Sequence, residues 1–72
     1  MGHTLKKIGS ICRRYRKIVL QKNLRDVAID MGYSVENISA FENGRNDNCM
    51  ILLWYMKNGL TLKQLFGGGI IE

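Results

Sequence analysis

The sequence predicts an all-α domain of five short helices. Apolar residues recur at spacings of three and four, no stretch alternates as a strand would, and capping residues and glycines bracket each periodic run. The chain has no proline, so glycine does most of the punctuation. Gly32, Gly44, Gly59 and Gly67 each stand where a left-handed C-cap residue belongs. Helix starts are signalled by Thr4, by Asn23 with Asp26 three residues on, by Ser34 and by Asn48. Thr61 opens the fifth helix, and Gln64 completes a capping box with it.

The first helix, about Leu5 to Leu20, carries an apolar stripe of Leu5, Ile8, Cys12, Tyr15 and Val19, widened by Ile11 and Ile18. Lys6, Lys7, Arg13, Arg14 and Lys17 fall on the other side, and Arg16 sits at the edge of the stripe. The fourth helix, from Cys49 to Met56, is apolar all round. A domain this small cannot bury such a helix on every side, so two faces are expected. Met50, Leu53 and Met56 are assigned to the core. Ile51, Trp54 and Tyr55 are assigned to a partner, a homodimer being the simplest.

With 72 residues the chain makes one thin domain, in which a core leaves only about 3–5 kcal/mol of net stability. The division expected is a domain over 1–66 and a tail over 67–72, the tail being either a flexible end or a short arm packing Ile70-Ile71 on a neighbour. No apolar run approaches the roughly 20 residues of a membrane span, and no apolar h-region follows the N-terminus. Lys6 stands where a myristoylation motif wants Ser or Thr. A cytoplasmic protein is expected, with Cys12 and Cys49 as reduced, buried residues and His3 as a terminal residue without a role. No Ser/His/Asp set, paired carboxylates, metal cluster or phosphate loop is visible, Gly67-Gly68-Gly69 lacking a strand before it and a helix after it. The reading is therefore not an enzyme, with no cofactor and no metal.

Charge is split along the chain. Residues 1–25 hold Lys6, Lys7, Arg13, Arg14, Arg16, Lys17, Lys22 and Arg25 and no acid. From Asp26 onward six acids face only Arg45, Lys57 and Lys63. Such asymmetry points either to a polyanionic partner, nucleic acid being the common case, or to a basic helix that is merely solvated.

The segment from Asn23 to Gly44 reads as two short helices joined at Gly32-Tyr33-Ser34. Small Ala28 permits close approach, and Val27, Met31, Tyr33, Ile38 and Phe41 hold the pair in one core. Ala28, Gly32 four residues later and Ile38 six after that, with Ser34 as capping residue, resemble the helix-turn-helix signature of the Cro/phage-repressor (XRE-like) family. Phe41-Glu42-Asn43-Gly44-Arg45-Asn46 resembles that family's exit from its recognition helix. Gly59-Leu60-Thr61-Leu62-Lys63-Gln64-Leu65-Phe66 resembles its closing helix, and Tyr15-Arg16 its Leu-Arg in helix one. The resemblance spans about Ile8 to Phe66 and implies a five-helix, lambda-repressor-like DNA-binding domain.

Carried over residue by residue, the resemblance implies an ion pair between Arg16 and Glu42, the alternative being two independent surface charges. It implies base contacts from Ser34, Val35, Glu36, Ser39, Ala40 and Asn43, and phosphate contacts from Arg45 and Asn46, to which Arg13, Lys17, Lys22 and Arg25 add charge. The chain departs from the family by lacking Gln, Arg and Lys on this helix. Asn43 suits adenine, Val35 and Ala40 a thymine methyl, and Glu36 a cytosine amine. Leu24 replaces a frequent Gln, the linker before helix two is slightly longer, and the stretch between Gly44 and Gly59 is shorter. The expected function is a sequence-specific DNA-binding transcriptional regulator, a repressor of phage or mobile-element type. It inserts Val35 to Asn43 in the major groove of double-stranded DNA as a homodimer. The alternative is a protein-binding module on the same corner, an antirepressor or phage inhibitor of a host factor, motivated by Glu36 and by Trp54 and Tyr55.

Overall fold

Capping chemistry sets where the helices begin and end. The computed structural model describes the backbone of residues 2–67 and the side chains of residues 5–65. Five helices run through the described residues, with no strand among them. They are α1 (Gly2–Arg14), which continues without a break into a π-helical segment (Tyr15–Leu20), then α2 (Leu24–Met31), α3 (Val35–Glu42), α4 (Cys49–Lys57) and α5 (Leu62–Gly67). Asn23 Oδ1 accepts from the Asp26 N–H at 2.8 Å, Ser34 Oγ from the Asn37 N–H at 3.1 Å and Asn48 Oδ1 from the Met50 N–H at 3.0 Å. Thr61 and Gln64 cap each other, each backbone N–H donating to the other's side chain. Caps of this kind are worth about 1 kcal/mol apiece. Thr4 is not one of them, because the backbone is already helical at Gly2. Of the tail expected over 67–72, Gly67 ends α5, and the rest, the Ile70-Ile71 arm included, lies outside the described residues.

The core draws on all the helices. Cys12, Tyr15, Val27, Ala28, Ile38, Phe41, Ile51 and Tyr55 are buried together, and Leu60 and Leu65 close the far side. The radius of gyration is 11.0 Å, matching the roughly 11 Å of a chain this long folded around one core. No helix among the described residues is long and apolar enough to cross a membrane.

Two faces differ from the sequence reading. Val19 and Ile18, expected on the buried stripe of the first helix, are 50% and 51% exposed. A π-helical turn closes its hydrogen bonds five residues back instead of four, so the face rotates as the chain passes through it. The rotation turns Val19 outward and brings Arg16 in beside Tyr15, leaving Arg16 only 4% exposed. The segment ends where Gln21 takes a left-handed φ of 53° and the N–H groups of Gln21 and Lys22 both donate to the Arg16 carbonyl.

The second difference is the rotation of α4. Ile51 and Tyr55, assigned above to a dimer interface, are fully buried in the core of the single chain, whereas Met50 and Leu53, assigned to the core, face outward. An all-apolar helix carries no polar stripe to fix its rotation. A polar contact fixes it instead, since the Tyr55 hydroxyl donates to Glu42 and draws the Ile51–Tyr55 side inward. Trp54, the third residue of that assignment, is half-buried and donates its indole N–H to Asp30 at 2.6 Å.

Candidate nucleic-acid interface

The corner between α2 and α3 is built from local chemistry. Gly32 caps α2 with φ 77°, a value that costs other L-residues roughly 1–2 kcal/mol. The N–H groups of Gly32 and Tyr33 both donate to the Ala28 carbonyl. Ser34 then starts α3 at once. Beneath the corner Val27, Ala28, Ile38 and Phe41 are buried, and Met31 and Tyr33 are half-buried. With one side of α3 committed to the core, Ser34, Val35, Glu36 and Asn43 are exposed, and Ser39 and Ala40 are half-buried.

Three of the expected contacts are already engaged, the first being Ser34, whose Oγ caps α3. The Asn43 amide donates to the Ser39 carbonyl at 2.8 Å, which restrains its direction and leaves one amide hydrogen and the oxygen for an adenine edge. Asn46 is a clasp for the loop after α3: its amide donates to the Asn37 carbonyl and its oxygen accepts from the Asn48 N–H. The half-buried Asn46 is therefore held by the protein itself, unlike the exposed Arg45. Asn37 was missed. It is exposed on α3, and its side-chain amide has no hydrogen bond among the described residues. Its place one helical turn after Ser34 and one before Ala40, both expected to contact bases, was the available signal.

Behind α3 lies a buried ionic knot. Arg16 Nε donates to Glu42 Oε2 at 2.9 Å and Arg16 Nη2 to Oε1 at 3.0 Å, a two-point clasp, with both residues 4% exposed. Arg16 Nη1 reaches the Lys22 carbonyl at 3.0 Å, and Tyr55 donates to Oε2. The bond to Glu42 raises the Arg16 pKa further, and burial followed by the same carboxylate raises the Tyr55 phenol. One acid thus ties the π-helical segment after α1, the end of α3 and the last turn of α4. Two further contacts set α1 against α3: Gly9 lies on the Phe41 and Glu42 carbonyls, and the Lys6 backbone lies on Gly44. Sequence reasoning missed Gly9, although a glycine inside a helix is itself a sign of close approach.

The knot leaves an open polar cleft of about 340 Å³ beside it, lined by Arg13, Arg16 and Lys17 from the first helix, Leu24 from α2, and Ser39, Glu42 and Asn43 from α3 and its end. Arg13 and Lys17 are exposed, and so are Lys22, Arg25 and Arg45. Leu24 is the first residue of α2, where helix N–H groups lack intrahelical partners and attract anions. Basic side chains from one helix therefore meet the start of a second and the end of a third around one open cleft.

The two cysteines part company. Cys12 is fully buried, and burial, then Glu42, raises its thiol pKa to about 12. Cys49, expected buried, is exposed because it begins α4 at the surface. A disulfide thiol reagent will therefore modify Cys49 rapidly in the native protein and Cys12 only on unfolding; equal native rates would contradict this packing. Comparison with protein-family models, curated proteins and solved structures returned no match.

Proposed function

We propose that the chain is a helix-turn-helix DNA-binding regulator of the Cro/repressor type, with a lambda-repressor-like fold. In this reading α3 is the recognition helix and two copies act together on double-stranded DNA. The observation that carries it is the α2–α3 corner, with its left-handed glycine, its immediate serine cap and the exposed outer side of α3. Such a corner offers a short ridge to a major groove. Exposed Arg13 and Lys17 share the cleft with Ser39 and Asn43, and exposed Lys22, Arg25 and Arg45 add further charge for phosphates. Arg16 is not in that set, because Glu42 neutralises it in the interior.

Base reading falls to Val35, Glu36, Asn37 and Asn43, a set with few donors, so phosphate attraction carries most of the affinity. The test is a selection from random duplexes followed by a salt titration of the best site. The logarithm of affinity is expected to fall linearly with the logarithm of salt, and Arg45→Ala to reduce the slope by about 1 per bound chain. Failure to bind any duplex at micromolar protein and low salt would reject the reading. One observation favours the alternative of a protein-binding module: α3 carries Glu36 and no Lys or Arg. Recovery of one stoichiometric protein partner, together with inertness toward DNA, is its signature.

A further inference from the structure

The rotation of α4 leaves an apolar groove at the opposite end of α2 from the cleft. Its walls are Met31 and Tyr33 from the α2–α3 corner and Met50, Leu53 and Trp54 from α4, and its volume is about 280 Å³. Met50 and Leu53 are 57% and 52% exposed, so an apolar ridge runs beside the groove. Trp54 is fixed on two sides. Its indole N–H bonds Asp30, and its ring stands edge-on to Tyr55 with centroids 5.2 Å apart. The groove is thus preformed, and filling it orders few side chains. Two charges of opposite sign also line it, Asp30 and Lys57. Lys57 forms no ion pair among the described residues, and Asp30 holds only the indole.

We infer that this groove is the docking site for a second copy of the chain, the Met50–Leu53 ridge of each copy entering the groove of the other and Lys57 meeting Asp30 across the two-fold axis. A two-fold contact uses the same patch twice, so the patch must contain its own complement. This one does, carrying ridge beside groove and acid beside base. The inference gives a surface to the two-copy element of the proposed reading and is independent of DNA. Leu24 in the cleft and Asp30 in the groove are separated by about 9 Å along α2, and the two surfaces share no lining residue.

The single tryptophan of the chain lies in the groove wall and reports on it directly. Sedimentation without DNA is expected to show a monomer–dimer equilibrium, with a blue shift of Trp54 emission that follows the dimer fraction. Leu53→Asp alters a side chain that is already half exposed, so the monomer should keep the wild-type helical spectrum. It should weaken association by at least about 100-fold, because the loss counts twice across the axis. Lys57→Glu should weaken association about tenfold by setting like charges against each other, while leaving the Trp54–Asp30 bond in place. A chain that stays monomeric at several hundred micromolar overturns the inference and leaves the groove to a different protein. A dimer that survives Leu53→Asp overturns it too and moves the contact elsewhere, for example to exposed Leu62. Loss of DNA binding in a chain that still dimerises would reject the DNA reading alone.

Discussion

Replacing Glu42 by alanine is expected to unfold most of the domain at 25 °C. The carboxylate accepts two bonds from Arg16 and one from Tyr55, all in the interior. Its removal leaves a guanidinium that is 4% exposed with no counter-charge, and a buried phenol with no acceptor. Breaking one partner out of a buried pair costs about 3–5 kcal/mol, as much as the whole stability of a domain this size. The melting temperature should fall by about 20 °C or more. Arg16→Met with Glu42→Leu should cost much less than Glu42→Ala alone, because it removes both charges and fills the space. Tyr55→Phe in that background should then be close to neutral, its hydroxyl having already lost its acceptor. A Glu42→Ala variant melting within a few degrees of wild type would show that the knot contributes little.

The same knot explains how much of the molecule could be read from its sequence. Helix starts at Asn23, Ser34, Asn48 and Thr61 were legible because each cap is a bond between residues two or three apart. The left-handed turn at Gly32 was legible for the same reason. The rotation of α4 was not. It depends on Tyr55 reaching Glu42, 13 residues away, and an all-apolar helix offers no stripe from which to choose a face. The outward turn of Val19 was hidden likewise, since regular helical spacing assumes a turn that the π-helical segment does not make. At the candidate interface, exposure of the α3 side chains follows from which residues the corner buries, and that pattern is local. Asn46 is held by the Asn37 carbonyl, nine residues back, which only the folded loop brings within reach, whereas Asn43 bonds the Ser39 carbonyl one helical turn before it. The family resemblance implied a DNA contact from each, and it carries no information on these intramolecular bonds.

Gly9→Ala should produce an effect of opposite sign to helix propensity. In an exposed helix interior, alanine in place of glycine stabilises by about 1 kcal/mol. Gly9 lies inside α1, yet a Cβ there would stand 2.3 Å from the Phe41 carbonyl oxygen and 2.6 Å from that of Glu42. Both obstructing atoms are backbone at the end of α3, so neither can swing aside, and α1 must lift from α3. Overpacking of this kind costs up to about 3 kcal/mol, and at this position it also strains the Arg16–Glu42 clasp that bridges the same two helices. Arg13 and Lys17 travel with α1 away from Ser39 and Asn43. DNA affinity should therefore drop under conditions where the variant remains folded. Gly32→Ala supplies the contrast. Nothing lies within 4 Å of its added methyl, so only the left-handed backbone opposes it, at about 1–2 kcal/mol. Chemical denaturation should place Gly9→Ala below Gly32→Ala in stability, and both below wild type. A Gly9→Ala protein as stable as wild type would mean that α1 does not rest on the end of α3. The cleft built from both helices would then lose one of its walls.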